Sequence, residues 1–487
     1  MTGDSMRHTD DGAPLTDILS GLEALRAHDV PVHGGRTLAY VYDAGVGAAD
    51  EAGRAALAAF GATNGLDPTA FPSIGAMEQD LIAVATRLLH GPGTTVGVAT
   101  SGGTESILLA VLAARDAAAP AGPAAERPSM VLPDTAHAAF RKAGHYLGVR
   151  PVLVPVDPAT FRADPVAMAA AIDETTVLVV ASAPSYAHGV VDPVAPIAAA
   201  AAAAGVRCHV DACIGGWVLP FLDEPETPRW DFAVDGVTSI SVDLHKYGYT
   251  PKGLALLLHR TPQLRRTHLF ATADWPGYTM LNTTVQSTKS GGPVAAGWAV
   301  AQALGIDGYR ALALQAREAT RAIAEGVSDI PGVRVLAEPD TTLLALASDH
   351  SCDVYTVADE MAARGWLVQP QLPYAASPAS LHLSVAAATA PLVTELLAAL
   401  GEAVSAAQAA GPVGADPALA AALAAIDPGR IDDAALDGLL AAAGLTGAEG
   451  LTLPQRMAPV NALLDSAPPR VREQLLLGVL DRLTRRR

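Results

Sequence analysis

Between Gly97 and Leu258, short apolar runs alternate with longer stretches that are rich in Ala and Leu. Apolar runs without polar alternation are typical of parallel strands that are buried on both faces, and the longer stretches predict crossover helices. The pattern therefore predicts an α/β sheet with helices on both faces. The seven predicted strands are Val96–Thr100, Met130–Leu132, Val152–Val156, Val177–Ala181, Val206–Val210, Val237–Val242 and Leu254–Leu258.

A different pattern follows Gly291. An Ala-rich helix is predicted through Glu325, and the strand-like runs beyond it alternate with helical stretches, which favours a smaller α+β domain. Beyond Gly411, residues such as Pro, Gly and Asp separate short amphipathic pieces, and the last piece ends in Arg485–Arg487. The predicted elements are the strands Gly332–Leu336, Thr342–Ser348 and Leu381–Val385, the helix Val354–Arg364, and the helical pieces Pro417–Ala425 and Asp432–Ala443.

These changes of pattern predict four parts of the chain. Residues 1–90 form an N-terminal arm and helical segment, and residues 91–300 form the large α/β domain. Residues 301–410 form the small C-terminal α+β domain, and residues 411–487 form a helical C-terminal extension. A chain of this length has room for two or three domain cores.

Composition excludes several classes of protein. The formal net charge is −18, so no nucleic-acid partner is expected, because phosphate backbones are bound by clustered Lys and Arg. The uncharged stretch Gly365–Thr394 is broken by four prolines, so no membrane span is predicted. Charged residues in Met1–Pro14 precede any apolar run, which is the wrong order for a secretory signal and predicts a cytoplasmic location.

Metal binding and disulfide bonding are not expected either. The three cysteines form no CxxC pair, and their number is odd. His209 and Asp211 alternate on one predicted strand, but two ligands without a third are a weak basis for a metal site. The prediction is that the chain holds no metal.

The run Thr100–Ser106, of sequence TSGGTES, follows the first predicted strand and opens an apolar helix. Adjacent glycines, Gly102 and Gly103, allow backbone N–H groups to approach an anion, and the helix N-terminus adds a partial positive charge. The run therefore predicts a phosphate seat that includes Thr104. A glycine turn of this kind is also compatible with a tight connection between strand and helix.

Two further motifs carry chemistry. Asp211 ends a predicted strand at the sheet edge where α/β proteins bind ligands, and a carboxylate there can pair with a protonated pyridine nitrogen or cap a helix. Lys246 follows His245 among glycine and proline turns, which suits a Schiff-base lysine in a desolvated pocket, although most lysines are surface charges. Phosphate seat, carboxylate and lysine occur in that order within one domain and support one another.

With these motifs the sequence resembles the fold-type I enzymes that use pyridoxal 5′-phosphate (PLP). It is most similar to the group II decarboxylase family and, within it, to the sphingosine-1-phosphate lyases. The resemblance implies the aspartate-aminotransferase-like fold, with a mostly parallel seven-stranded sheet, helices on both faces and a smaller α+β C-terminal domain. The matching stretches are Asn64–Pro68, Phe71–Ser73, Thr100–Leu108, Ala136–Ala143, Ser182–Gly189, His209–Gly216, Ser239–Gly253, Thr288–Gly292 and Ala362–Trp366.

The resemblance implies how the cofactor ring is held. Lys246 forms the Schiff base with PLP, and Asp211 binds the ring nitrogen. His137 stacks on the ring, and Ser182 lies near it. A base must also take a substrate proton, and Lys246 once freed, or Tyr249, is the candidate by position.

The resemblance also implies how the cofactor phosphate is held and how subunits are arranged. The loop Thr288–Gly292 reaches the cofactor phosphate of the neighbouring subunit, so the expected assembly is a homodimer with shared active sites. The residues assigned to the cofactor phosphate are Gly102, Gly103, Thr104, His245 and, from the loop, Thr288 and Gly291.

Substrate binding is where the sequence departs from the lyases. In the lyase pattern a Tyr matching Tyr42, a Lys matching Lys252 and a His receive the substrate phosphate, and this chain has Asp67 in place of the His. Asn64 belongs to the same matched stretch and is assigned to the substrate. A carboxylate repels a phosphate dianion. The lyase pattern often has Arg at the position of Lys289. Lys289 keeps the positive charge but cannot form the paired hydrogen bonds of a planar guanidinium.

The resemblance implies a PLP-dependent carbon–carbon lyase. Its substrate is a 2-amino-3-hydroxy compound like sphingosine 1-phosphate, which retro-aldol chemistry converts to an aldehyde and a phosphoethanolamine-type amine. The alternative is an L-amino-acid decarboxylase with the same site, which Asp67 favours and Tyr42 and Lys252 disfavour. A cofactor-binding protein without catalysis is disfavoured, because the residues assigned to the ring are retained together.

Overall fold

The computed structural model describes residues 12–118, 127–222, 224–225, 227–442, 444–447, 450–451 and 454–484. The predicted C-terminal run Arg485–Arg487 lies outside these residues. Three helices precede the sheet, and α1 buries none of its residues. The helices are α1 (Leu15–Leu25), α2 (Gly47–Ala59) and α3 (Pro72–Leu88).

The predicted seven-stranded sheet is confirmed, and its strand order is β1-β7-β6-β5-β4-β2-β3. All pairings are parallel except those of β7, which runs antiparallel to β1 and to β6. The strands are β1 (Val96–Thr100), β2 (Ser129–Pro133), β3 (Arg150–Val154), β4 (Thr176–Ser182), β5 (Arg207–Asp211), β6 (Val237–Val242) and β7 (Ala255–His259).

Helices cover both faces of the sheet because both faces are apolar. Along β4, Leu178 and Val180 belong to one buried cluster with residues of α4 and α5, while Val179 and Ala181 belong to another with residues of α7. Alternate residues of a strand point to opposite faces, so a continuous apolar run is buried on both. The helices are α4 (Gly103–Ala117), α5 (Ala139–Leu147), α6 (Pro165–Ala170) and α7 (Val194–Ala203).

The segment after β7 leads to the long predicted helix. It contains α8 (Pro262–Arg266) and the antiparallel pair β8 (Phe270–Thr272) and β9 (Met280–Asn282). Helix α9 (Gly291–Val327) then packs against α2 and α3. Its backbone is broken at Gly305, where φ is 63° and ψ is 176°.

The smaller α+β unit has an antiparallel sheet of order β10-β11-β13-β12. Three of its strands match predicted runs, whereas β12 was not predicted because Pro370 lies within it and a proline demotes a run to an edge strand. The elements are β10 (Val333–Val335), β11 (Leu343–Ser348), α10 (Val354–Ala363), β12 (Gln369–Gln371), β13 (Ser380–Ser384) and α11 (Val393–Ala410).

One stretch of the described chain, Ala387–Ala410, is long and apolar enough to cross a membrane by length and composition. Its apolar side belongs to the core of the smaller α+β unit, where Leu396, Leu400 and Val404 are buried. Helices that fill a protein core pass the same test of length and hydropathy. The prolines of Gly365–Thr394 interrupt only the part of the apolar sequence that precedes α11.

The C-terminal region has its own leucine-rich core, which contains Leu423, Leu436 and Leu475. Asp359 of α10 accepts hydrogen bonds from the backbone N–H groups of Met457 (2.9 Å) and Ala458 (2.9 Å), and so attaches this region to the α+β unit. The elements are α12 (Pro417–Ala425), α13 (Asp433–Ala442), β14 (Thr446–Gly447), β15 (Gly450–Leu451), α14 (Ala458–Ser466) and α15 (Pro469–Thr484).

The fold makes a prediction about Gly215, which follows β5 next to the end of β4. A Cβ atom there would lie 2.2 Å from the carbonyl oxygen of Ala183. Because this contact is with backbone, we expect Gly215→Ala to lower the free energy of unfolding by about 1–3 kcal/mol. Gly75→Ala is the matched control, since Gly75 lies within α3 with nothing within 4 Å of the added atom. Denaturant titration of both variants measures the difference, and equal stability would contradict the packing described.

Candidate active site

A cavity of about 400 Å³ lies at the edge of the sheet where β1, β4, β5 and β6 end. Parallel strands bring their carboxyl ends to one edge, which is where ligands bind in α/β proteins. Residues from five separate matched stretches therefore meet around one space. The lining residues that matter below are Gly102, Gly103, His137, Ser182, Asp211 and Lys246.

The predicted phosphate seat is the turn between β1 and α4. A Cβ atom on Gly103 would lie 2.7 Å from Cys213 Sγ and 3.0 Å from the carboxylate of Asp243, so only glycine fits beside these two side chains. Glu105 fixes the turn, because Oε2 accepts the Ser101 N–H at 2.6 Å and Oε1 accepts the Val285 N–H at 2.9 Å. The N-terminus of α4 opens into the resulting space.

Lys246 and Asp211 lie on two neighbouring strand ends. Lys246 Nζ is 3.0 Å from Asp243 Oδ2. Burial lowers the pKa of Lys246, but the charge of Asp243, together with smaller contributions from Tyr42, Cys213 and Asp211, outweighs that effect and raises the pKa above its ordinary value. Burial raises the pKa of Asp211, but the charges of His137, Lys246 and His209 and a hydrogen bond with Cys213 together outweigh that effect, so the pKa is lowered and Asp211 is anionic.

His137 and Ser182 lie on the cavity wall as the resemblance implied. His137 is exposed to the cavity, and its Nδ1 accepts the backbone N–H of Ala139 at 3.2 Å, which orients the ring. The Tyr186 ring packs edge-on to it, with centroids 6.5 Å apart. Ser182 is held by a backbone N–H bond to Asp192 of 2.8 Å.

The cavity fits PLP on observations of this structure alone. The glycine turn at the N-terminus of α4 lines the cavity, where a phosphate would meet its backbone N–H groups, and His245 Nδ1 is buried without a hydrogen-bond partner in the described chain. Asp211 supplies an anion for the ring nitrogen, His137 an open ring face, and Lys246 the amine. All the groups that PLP requires are therefore found around a single space.

Tyr42 and Lys252 lie together beside Lys246. Lys252 Nζ is 5.0 Å from the centroid of the Tyr42 ring and donates a hydrogen bond of 3.2 Å to the carbonyl oxygen of His245. Burial, with the charge of Lys246, lowers the pKa of Lys252 to about 8. Burial raises the pKa of Tyr42, and the charge of Lys246 opposes that change. The phenol and the ammonium predicted for the substrate phosphate are thus neighbours.

Tyr249, Asn64 and Asp67 do not line the cavity of this chain. Tyr249 is buried, with its ring centroid 6.1 Å from that of Tyr247. Asp67 is exposed, and its Oδ1 accepts hydrogen bonds from the backbone N–H (2.8 Å) and the hydroxyl (2.6 Å) of Thr69, which lower its pKa. Within one chain the Asp67 carboxylate caps a turn.

Thr288 and Gly291 also lie outside the cavity, and their loop is bonded to the segment that carries Asn64 and Asp67. The Gly65 N–H donates to the Lys289 carbonyl at 2.7 Å, and the Gly291 N–H donates to the Thr63 carbonyl at 2.9 Å. Lys289 Nζ is 2.8 Å from Glu78 Oε2. The loop and the segment around Asn64 and Asp67 therefore form one hydrogen-bonded region. Tyr42 and Lys252 also lie outside the lining of the cavity.

Sequence reasoning assigned no role to three residues that line the cavity, Asp243, Cys213 and Tyr186. Asp243 lies three positions before Lys246, and that spacing places both side chains on one side of a turn. A carboxylate three positions before the predicted Schiff-base lysine could therefore have been recognised from the sequence as its neighbour. Cys213 and Tyr186 reach the site through packing between segments that are distant in sequence.

Comparisons with known proteins show which family the chain belongs to. Residues 52–347 match the family described as pyridoxal-dependent decarboxylase conserved domain, and residues 417–482 match one described as pyridoxal-dependent enzyme, C-terminal putative HTH domain. A sphingosine-1-phosphate lyase of Dictyostelium discoideum is 39% identical over 330 residues, which are 67% of this chain and 61% of the relative. The chain thus spans about three fifths of the length of that relative.

Two solved structures share the fold. The sphingosine-1-phosphate lyase of Burkholderia pseudomallei superposes with a TM-score of 0.78 at 35% identity, over 84% of this chain and 94% of that chain. A glutamate decarboxylase of Lactobacillus brevis superposes with a TM-score of 0.73 at 20% identity, over 83% and 95%. The second likeness bears on the fold alone.

The site predicts that Lys246 is the covalent attachment point of PLP. We expect Lys246→Ala to lose the visible absorption of the bound cofactor and any link to it that borohydride can fix, because no other cavity-lining residue is a lysine. Absorption spectra and mass spectrometry after borohydride treatment measure this. Lys142→Ala, which removes an exposed lysine, is the control and keeps both signals. A borohydride-fixed cofactor in the Lys246 variant at full occupancy would exclude the assignment.

Proposed function

Because the chain belongs to the pyridoxal-dependent decarboxylase family and is 39% identical to a sphingosine-1-phosphate lyase, we propose that it is a PLP-dependent carbon–carbon lyase. Its substrate is a phosphorylated long-chain 2-amino-3-hydroxy compound, and its products are an aldehyde and a phosphoethanolamine-type amine. The observation that carries the proposal is the pair Tyr42 and Lys252 beside Lys246, which provides a hydroxyl and a cation for a second phosphate besides that of the cofactor.

When bound, PLP supplies an electron-accepting ring that stabilises the electron pair of the bond being broken. The chain's own residues set the conditions for this. The anionic Asp211 would keep a proton on the ring nitrogen, and the glycine turn at the N-terminus of α4 would hold the phosphate end. His137 lines the cavity and would cover one face of the ring.

Cleavage next to a hydroxyl also requires a group that accepts the hydroxyl proton. Of the two predicted candidates, Lys246 lines the cavity and Tyr249 does not. The phenol of Tyr186 lines the cavity as well, and Tyr42 lies close enough to Lys246 for their charges to interact. Tyr42 and Tyr186 are therefore better placed than Tyr249 to take part in this proton transfer.

The decarboxylase alternative rested on Asp67. In the described chain that carboxylate is exposed and bonded to Thr69, so it neither opposes a substrate phosphate in its own cavity nor favours an amino-acid substrate. The identity of 39% and 35% with lyases, against 20% with a decarboxylase of the same fold, supports the lyase.

Lys252→Gln tests the substrate assignment. We expect the variant to raise the KM for a sphingoid phosphate by a factor of ten or more, since a charge-assisted hydrogen bond contributes about 1.5–3 kcal/mol. The dephosphorylated substrate should show no such change. Steady-state assays of aldehyde release measure both, with Lys142→Gln as the exposed control. Carbon dioxide from an amino acid, without aldehyde from any amino-alcohol phosphate, would exclude the lyase and support the decarboxylase.

We further propose a homodimer whose subunits share their active sites. The segment that precedes the Thr288–Gly292 loop exposes large apolar side chains, and contiguous exposed apolar patches mark interaction surfaces. Helix α1 exposes Leu15, Leu19 and Leu22 along one face. Because this apolar segment leads directly to the Thr288–Gly292 loop, we propose that a second copy of the chain covers it. The exposed apolar residues of the segment are Leu269, Phe270, Trp275, Tyr278, Leu281 and Val285.

Hybrid dimers test the shared site. We expect mixed chains carrying Lys246→Ala and Gly291→Val, each inactive by itself, to recover activity, because one of the two sites then has an intact Lys246 and an intact loop. A Cβ on Gly291 would lie 2.2 Å from Thr63 Oγ1, so the second change displaces the loop. Activity after subunit exchange measures the rescue, and mixing two Lys246→Ala preparations is the control. Proven exchange without rescue would show that each chain supplies a complete site.

A further inference from the structure

Asp243 is the buried group in closest contact with the reactive lysine. Its side chain is 3% exposed, and Oδ2 lies 3.0 Å from Lys246 Nζ and 3.6 Å from His245 Nε2. Its backbone is fixed, because its N–H donates to the Cys213 carbonyl and its carbonyl accepts the Lys246 N–H. The carboxylate is thus held in place for the lysine by both segments that frame the site.

The two oxygens of this carboxylate are unequal. Oδ2 faces the lysine, whereas Oδ1 is buried without a hydrogen-bond partner in the described chain. Both lie 3.0 Å from the position that a Cβ on Gly103 would take, at the phosphate seat. Lys246 is therefore the main counter-ion of a carboxylate that is almost fully buried, and separating the two charges is costly.

Other charged and titratable groups also act on Lys246. Besides Asp243, the groups that favour its charged form are Tyr42, Cys213 and Asp211. The groups that oppose it are Lys252, His245 and His382. Tyr186 also interacts with it, through the opposite wall of the cavity. Among these groups, Asp243 has the largest effect, and it alone forms an ion pair with the lysine.

We propose that Asp243 is a positioning residue that binds Lys246 as an ammonium whenever the lysine nitrogen is not bonded to the cofactor. This goes beyond the lyase assignment, because it concerns the lysine and PLP alone and holds for any substrate. Asp243 fixes where the freed amine lies and keeps its proton on. The freed Lys246 is then a proton donor, so the substrate hydroxyl must give its proton to a group other than Lys246.

The proposal has a consequence for cofactor attachment. The ammonium must lose one proton to solvent before the lone pair of Nζ attacks the aldehyde carbon. The two remaining hydrogens then leave with the aldehyde oxygen as water, and a C=N bond forms. Attachment is therefore slow at pH values where Asp243 keeps the lysine protonated, and it accelerates as the pH rises.

The experiment uses the full chain freed of its cofactor. Visible absorption follows the attachment of pyridoxal, which has no phosphate, and of PLP, from about pH 6 to about pH 10. The variants are Asp243→Asn, which keeps the shape, Asp243→Glu, which restores the charge, and Asp231→Asn, a similarly buried carboxylate that pairs with His90 instead. Asp231→Asn is expected to match the wild type.

We expect Asp243→Asn to shift the pH midpoint of attachment downward by at least one unit with both probes, so that attachment at neutral pH is about tenfold faster or more. Asp243→Glu should return the midpoint toward that of the wild type. Unchanged midpoints would overturn the proposal. A change with PLP alone, equal at all pH values, would also overturn it, since it would show that Asp243 only repels the phosphate.

A second measurement uses the wild type only and does not depend on a variant folding. An acylating reagent labels neutral amines, and peptide mass spectrometry of the cofactor-free chain gives the pH midpoint of labelling at each lysine. Lys252 is the internal reference, because its pKa is lowered to about 8. We expect Lys246 to reach its midpoint at least one unit above Lys252. Equal midpoints would contradict the ion pair with Asp243.

Discussion

The direction of four strands is the constraint on which the site depends. Strands β1, β4, β5 and β6 run the same way, so Thr100, Ser182, Asp211 and Val242 end at one edge of the sheet. The antiparallel β7 lies between β1 and β6 and holds the glycine turn at the correct distance from the lysine loop. Reversal of any of these strands would remove one group from the cavity.

The sequence carried most of the fold because the sheet is buried on both faces. A run such as Val177–Ala181 has no polar alternation, which identifies it as a central strand. The glycine turn and Lys246 were also predictable, because each lies in a short motif of neighbouring residues. Strand β12 was not predicted, because Pro370 lies within it and a proline argues against a strand. The role of Asp243, and the turn-capping position of Asp67, depend on three-dimensional packing that no local pattern reveals.

Negative and positive side chains lie next to one another in the cavity. Two carboxylates, Asp211 and Asp243, face Lys246 and the neighbouring histidines, and burial strengthens each of these interactions by excluding water. Partial desolvation and the charge of Lys246 lower the pKa of Lys252, which in the described chain has no carboxylate partner as close as that of Lys246. Two lysines only six positions apart thus acquire opposite protonation behaviour from their surroundings alone.

Glu105 connects the predicted phosphate seat to the segment that leads to the Thr288–Gly292 loop. One of its oxygens accepts the Ser101 N–H in the phosphate seat, and the other accepts the Val285 N–H in the segment leading to Thr288–Gly292. The conformation of the phosphate seat is therefore coupled to the conformation of that segment through Glu105. Such linkage is reciprocal, so a ligand that tightens the seat and a contact that fixes the segment strengthen each other by the same free energy.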